Sequence, residues 1–158
     1  MSTTELWLLL IAIGFVAGLR TVTAPAAVAW GAHLGWLNLH DTRFAFMGST
    51  IALVLFTIGA ASEYVTDQLP STPARTVPMQ FSARIVSGGF SAAGLALAAG
   101  QPVALGIALG IVGAIAGTLG GYHARRGLVR GLKVPDIAIA VPEDIIAIGL
   151  GLFVASRF

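Results

Sequence analysis

The chain has 158 residues, 56% hydrophobic and 10% charged, with a formal net charge of +2 and no cysteine, and its mean hydropathy is +0.88. Soluble domains carry about 25% charged residues, so a chain this apolar lacks the polar surface that water demands and reads as one integral membrane domain over residues 1–158. The missing cysteines exclude disulfides, thiolate metal sites and cysteine nucleophiles.

In chain order, the opening MSTTELWLLL carries Glu5 where a signal peptide would be positive, so this segment is expected to be retained. Residues 5–36 then form one long apolar tract interrupted between Arg20 and Pro25. The tract is long for one span and short for two. Pro25 removes a backbone donor and disfavours helix at Ala24. The expectation is a helix to about residue 20, a break, and a second piece from Pro25 to about Trp36. Non-helical backbone at membrane depth must be buried in protein or line a wet cavity, so a break argues for a polar interior. A proline kink in one tilted helix is the plainer alternative. Further spans are expected at 44–66, 82–100, 102–121 and 136–156. A three-proline connector over 67–81 is expected to be rigid and extended, and Gly100-Gln101-Pro102 to form a tight turn. Pro142-Glu143-Asp144 interrupts the last segment and looks like a helix start, with proline in the first turn and acids near the N-terminal dipole. The predicted fold is all-α, a polytopic transmembrane bundle with broken helices.

The basic segment HARRGLVRGLK contains Arg125, Arg126, Arg130 and Lys133. It is read as a topology signal rather than a nucleic-acid surface, which makes the 122–135 loop cytoplasmic in a bacterial inner membrane. Counting outward, the 67–81 loop is inside, and the 37–43 loop, the Gly100 turn and the C-terminus are outside. The N-terminus is inside if 5–36 crosses once, and outside if it crosses twice or re-enters. Trp7, Trp30 and Trp36 fit interfacial belts.

Arg20-Thr-Val-Thr-Ala and Arg84-Ile-Val-Ser-Gly share a pattern, and Thr57-Ile-Gly-Ala and Thr118-Leu-Gly-Gly follow each at nearly the same offset. They suggest a repeat of halves 6–66 and 81–130, as in many transporters; chance similarity in an Ala/Gly-rich chain is the other reading. Small residues recur at helical spacing in Gly14/Gly18, Gly106/Gly110, Gly113/Gly117/Gly121 and Ala147/Gly151/Ala155. Such faces let helices approach closely in lipid. Most are expected to pack within the chain, and one to sit at a homodimer interface.

The polar residues cost the most. A charge at mid-membrane costs about 2.5–3.5 kcal/mol on insertion scales. Arg20 either snorkels to an interface or sits beside exposed carbonyls at the break. Glu63 and Asp67 share a helix face near a C-terminus, where the dipole disfavours them unless a cation compensates; Arg20, Arg75 and Arg84 are the candidates. Glu143 and Asp144 either cap a helix or form a buried pair able to take a proton or hold a hard cation, and whether any carboxylate holds a metal is left open. The histidines (His33, His40, His123) have no metal-ligand spacing, and no catalytic or nucleotide-binding motif is present.

The order of GLR near the start, Glu63-x-x-x-Asp67-x-x-Pro70 after the second span, Arg84 with Gly88, and the late Glu143-Asp144 pair resembles the bacterial family of small polytopic membrane proteins known as domain of unknown function 4126. The resemblance covers nearly the whole chain and implies the fold class, not an activity. The family pattern leads one to expect a small or hydroxyl residue before the Glu-Asp pair, where this chain has Pro142.

The leading functional expectation is a homodimeric inner-membrane transporter or channel for a small ion or solute. Its site would comprise Arg20, Pro25, Glu63, Asp67, Arg84, Glu143 and Asp144. Neither a cofactor nor an enzymatic step is expected. The rivals are an assembly protein that binds a partner and, behind it, a lipid-headgroup enzyme, which would need Glu63, Asp67, Glu143 and Asp144 to converge.

Overall fold

A computed structural model of the chain describes residues 1–67 and 75–158. It is all-helical: α1 (Thr3–Leu19), α2 (Thr23–His33), α3 (Thr50–Thr66), α4 (Pro78–Ala98), α5 (Val103–Leu132) and α6 (Ile137–Ala155), with a short 3-10 turn at Ala45–Gly48. Among the described residues there is no strand. Three helices, α4, α5 and α6, are long and apolar enough to cross a membrane; α1 and α3 are apolar but shorter.

The 5–36 tract is a hairpin. The α1 helix runs 17 residues, about 25 Å, and the chain turns through Arg20–Val22 and returns as the 11-residue α2. The break falls before Pro25. Proline takes the third position of α2, inside the first turn, where no helical partner exists for its missing N–H. The expected 44–66 span is shorter than predicted, because the Ser49 hydroxyl accepts from Ala52 N at 3.2 Å and starts α3 there. The α4 helix starts at Pro78 rather than residue 82, again with proline in the first turn. The Gly100 turn falls where expected, with Gly100 at φ +66°. Pro70 and most of the proline-rich connector lie outside the described residues.

Two further expectations are corrected. The basic loop at 122–135 is helical as far as Leu132, and α5 closes on Lys133 in the left-handed region at φ 53°. The last helix does not start at Pro142. It starts at Ile137 and carries Pro142 in its interior. The preceding Ile-Ala-Ile-Ala-Val is apolar, and backbone in apolar surroundings satisfies its own polar groups best by staying helical, even across a proline. Glu143 and Asp144 therefore sit nearly two turns inside α6.

Glycine sets the packing of α1, α4 and α5. A Cβ on Gly106 would lie 2.6 Å from the Ala92 carbonyl oxygen and one on Gly88 would lie 2.8 Å from that of Gly110. Gly14, Gly18, Gly113 and Gly117 likewise meet backbone of the facing helix. Gly151 meets Ala27 and Val16 of the hairpin, and Ala147 and Ala155 are buried. The small-residue faces are thus packed against neighbouring helices within the chain. Around them Leu10, Ile13, Val16, Val28, Leu95 and Val154 are fully buried.

All six helices alternate in direction. Glu5 and Arg157 pair at 3.2 Å, so both termini share one end of the bundle, with Trp7, Trp30, Trp36 and the Gly100 turn. The other end gathers the ends of α1, α3 and α5 and the starts of α2, α4 and α6. There the charges meet. The two arginine pentapeptides of the suggested repeat differ in backbone, since Arg20 is extended at the end of α1 and Arg84 lies inside α4.

Candidate functional site

The α1–α2 break is where backbone groups lose their helical partners, and side chains from other helices supply replacements. The carbonyls of Gly18 and Leu19 accept from Arg84 Nη1 at 3.0 and 2.7 Å. Thr118 Oγ1 lies 3.3 Å from the same Gly18 carbonyl. The Ser87 hydroxyl donates to the Thr21 carbonyl. Val22 offers no side-chain cap to α2. Glu63 of α3 takes that role, accepting from Thr21 N at 2.6 Å and Val22 N at 2.8 Å. A carboxylate here faces the positive end of α2, which compensates its unfavourable place at the end of α3.

Arg20 is completely buried. Its Nε donates to Asp144 of α6 and its Nη1 to Asp67, the residue closing α3, and its guanidinium carbon lies 5.9 Å from the Tyr64 ring centre. Arg84, 1% exposed, brings Nη2 to 3.8 Å from both Glu63 and Asp67. Next to this inner cluster is an outer one. Arg75 holds Glu143 through two bonds of 2.6 and 3.1 Å, and Arg125 donates to Glu143 at 3.3 Å and to both oxygens of Asp136. The bond with Arg125 holds the Asp136 carboxyl below its ordinary range.

Five carboxylates therefore meet four guanidiniums. The inner group alone sets Glu63, Asp67 and Asp144 against Arg20 and Arg84. Pairing is still incomplete on the donor side, since among the described residues Arg20 Nη2 and Arg84 Nε are buried with no acceptor. Leaving buried donors unmatched costs about 1–3 kcal/mol each, so this arrangement has capacity to bind an acceptor.

On the opposite side of Tyr64 lies an apolar groove of about 360 Å³ between α2, α3 and α6. It extends from Trp30 and Trp36 to Thr23 and Tyr64. Four of the polar side chains that line it pair with one another, Thr23 Oγ1 with Tyr64 OH at 2.7 Å and Trp30 Nε1 with Thr57 Oγ1 at 3.1 Å.

Of the residues expected at the site, Arg20, Glu63, Asp67, Arg84 and Asp144 come together. Glu143 points to the outer cluster, because adjacent residues on a helix face directions about 100° apart. Pro25 does not join the cluster; it lines an apolar depression with Phe56 and Phe90. Tyr64, Ser87 and Asp136 were not singled out by the sequence, since a lone hydroxyl or a loop acid carries no spacing signal. Among the described residues no group of His, Asp and Glu could hold a metal ion. No family model matches the chain, and no curated protein or solved structure matches it either.

Proposed function

We propose that the protein is a small multi-pass transporter or channel of a bacterial inner membrane, with the Arg20–Arg84 carboxylate cluster as the site of a small ion or solute. The observation that carries this reading is the position of Arg20. It is completely buried, tied to α3 and α6 at once, and left with a donor to spare. On one side stands Asp67, whose side chain is 16% exposed; on the other lies the apolar groove. A buried cationic group held by exchangeable ion pairs is the kind of element that marks a solute or ion site inside a membrane bundle.

In this reading the arginine-rich end of α5 faces the cytoplasm, which puts both termini outside. The active unit in this reading is a homodimer, because a chain with so few spans rarely encloses a pathway alone. The resemblance to the domain of unknown function 4126 family belongs to the same proposal. No cofactor or nucleic acid enters it.

Flux across proteoliposomes tests the proposal. Under pH jumps and a panel of small ions, the wild type is expected to give an electrogenic signal that Arg20→Gln and Glu63→Gln abolish. A trace identical to empty liposomes across the panel would move the reading to an assembly protein. One observation favours that alternative: most of the charged groups pair with one another and clamp one end of the bundle. Under it, the charge-neutral triple variant Arg20→Met, Asp67→Asn, Asp144→Asn would fold, localise and function nearly normally.

A further inference from the structure

The groove and the cluster meet along α3 and α6 and across the α1–α2 break. On α2's side, Thr23 lines the groove and Arg20 lies three residues before it. On α3, Tyr64 lines the groove and Asp67 lies three residues after it. On α6, Ile148 lines the groove and Asp144 lies four residues before it. One turn along α3 and α6, and one step back across the α1–α2 break, therefore lead from an apolar wall to a charged group, and all three of those groups are bonded together.

Resting on the reading of this site as a solute site, we infer that its ligand is a single-chain amphipathic acid, with the tail in the groove and the acidic head on Arg20. The tail is specified by the groove. Thr23, Tyr64, Trp30 and Thr57 are already paired, so the deep part of the groove offers little to a polar occupant, and its apolar lining matches an acyl chain. The head is specified by the orphaned Nη2 of Arg20, a buried donor that a carboxylate or phosphate oxygen would satisfy. The inner group already carries one more acid than base, so the arriving head takes the place of Asp67 on Arg20. Asp67 is the most exposed of the three inner carboxylates, and the one water can best receive. The Tyr64–Thr23 hydrogen bond separates tail from head and opens as the head passes.

Two tryptophans in the groove supply the readout. In a Trp7→Phe background, a long-chain fatty acid brominated on its tail is titrated against the purified protein, with the brominated alcohol of equal length as the comparison. The acid is expected to quench Trp30 and Trp36 saturably and to bind about tenfold more tightly than the alcohol, from one charge-assisted hydrogen bond. Arg20→Gln should remove that preference, and Ala61→Leu, which fills the groove from its open side, should remove both signals while keeping the cluster intact. Equal quenching by acid and alcohol in the wild type overturns the inference. So does quenching by a brominated anionic phospholipid without any by the free acid. Because binding is read without flux, a protein that binds the acid and moves nothing refutes the transporter reading and leaves this one standing.

Discussion

Two halves of this bundle are held together by opposite means. In the α1–α4–α5 half glycines bring backbone against backbone, and the buried polar side chains of α4 and α5 are Arg84, Ser91 and Thr118. The α2–α3–α6 half is looser, with a groove between its helices and ion pairs at one end. The lesson is one of reversibility. Close packing of backbones offers one arrangement, because interlocked surfaces do not slide. Ion pairs can exchange partners at modest cost once water or a competing acid arrives. The first half is built as a frame and the second as the part that can move.

This comparison can be broken most severely at Arg20. Arg20→Ala strands two carboxylates in the interior and should cost about 3–5 kcal/mol, seen as a large drop in melting temperature in detergent. If the ion pairs are the exchangeable element, Arg20→Met with Asp67→Asn and Asp144→Asn should recover most of it. A triple variant as weak as the single one would contradict that account. In the frame, Gly113→Ala places a methyl against the Ile11 carbonyl and should cost about 1–3 kcal/mol by overpacking. Gly149→Ala, with nothing near its added Cβ, should melt like the wild type. Equal losses at both positions would remove the case for a glycine-packed frame.

Smaller effects sharpen the boundary between the halves. Glu63→Gln keeps one acceptor oxygen but loses the charge that faces the start of α2. About 1 kcal/mol of stability should go, with faster amide exchange confined to Thr21, Val22 and the first turn of α2. Uniformly faster exchange would argue against a local cap. The smallest effect is acid titration of Asp136. Its pKa is lowered by Arg125, so its contribution is complete above the ordinary carboxylate range and is lost as pH falls through the lowered value. For so exposed a pair this is about 0.2–1 kcal/mol. Asp136→Asn should therefore flatten the acid limb of the melting curve and leave the neutral region nearly unchanged; an unaltered acid limb would show that Asp136 contributes nothing.

Much of this was legible in the residues, and the exceptions have physical causes. Arginine and proline five residues apart in an apolar tract announced the break, and acids misplaced against a helix dipole announced their cationic partners. Pro142 misled because its usual meaning in water, a helix start, weakens where backbone must satisfy itself. The basic segment after Gly121 misled because charge marks where a helix leaves the apolar layer, not where it stops. The allocation of glycine faces was unreadable, since a face that fits a neighbouring helix fits a second copy equally well. The junction of groove and cluster was equally hidden, because it depends on three helices meeting in register.

The two ends of the α1–α2 break are completed by residues made later. Arg84, whose side chain closes the end of α1, lies 65 and 66 residues beyond the carbonyls it satisfies, and Glu63 lies 41 and 42 beyond the amides it accepts from. At about 5–20 residues per second of synthesis, the nascent hairpin waits for several seconds with its tip unsatisfied. The tip of the first hairpin therefore gains its partners only after α4 has been made, so the order of translation is written into the order of assembly.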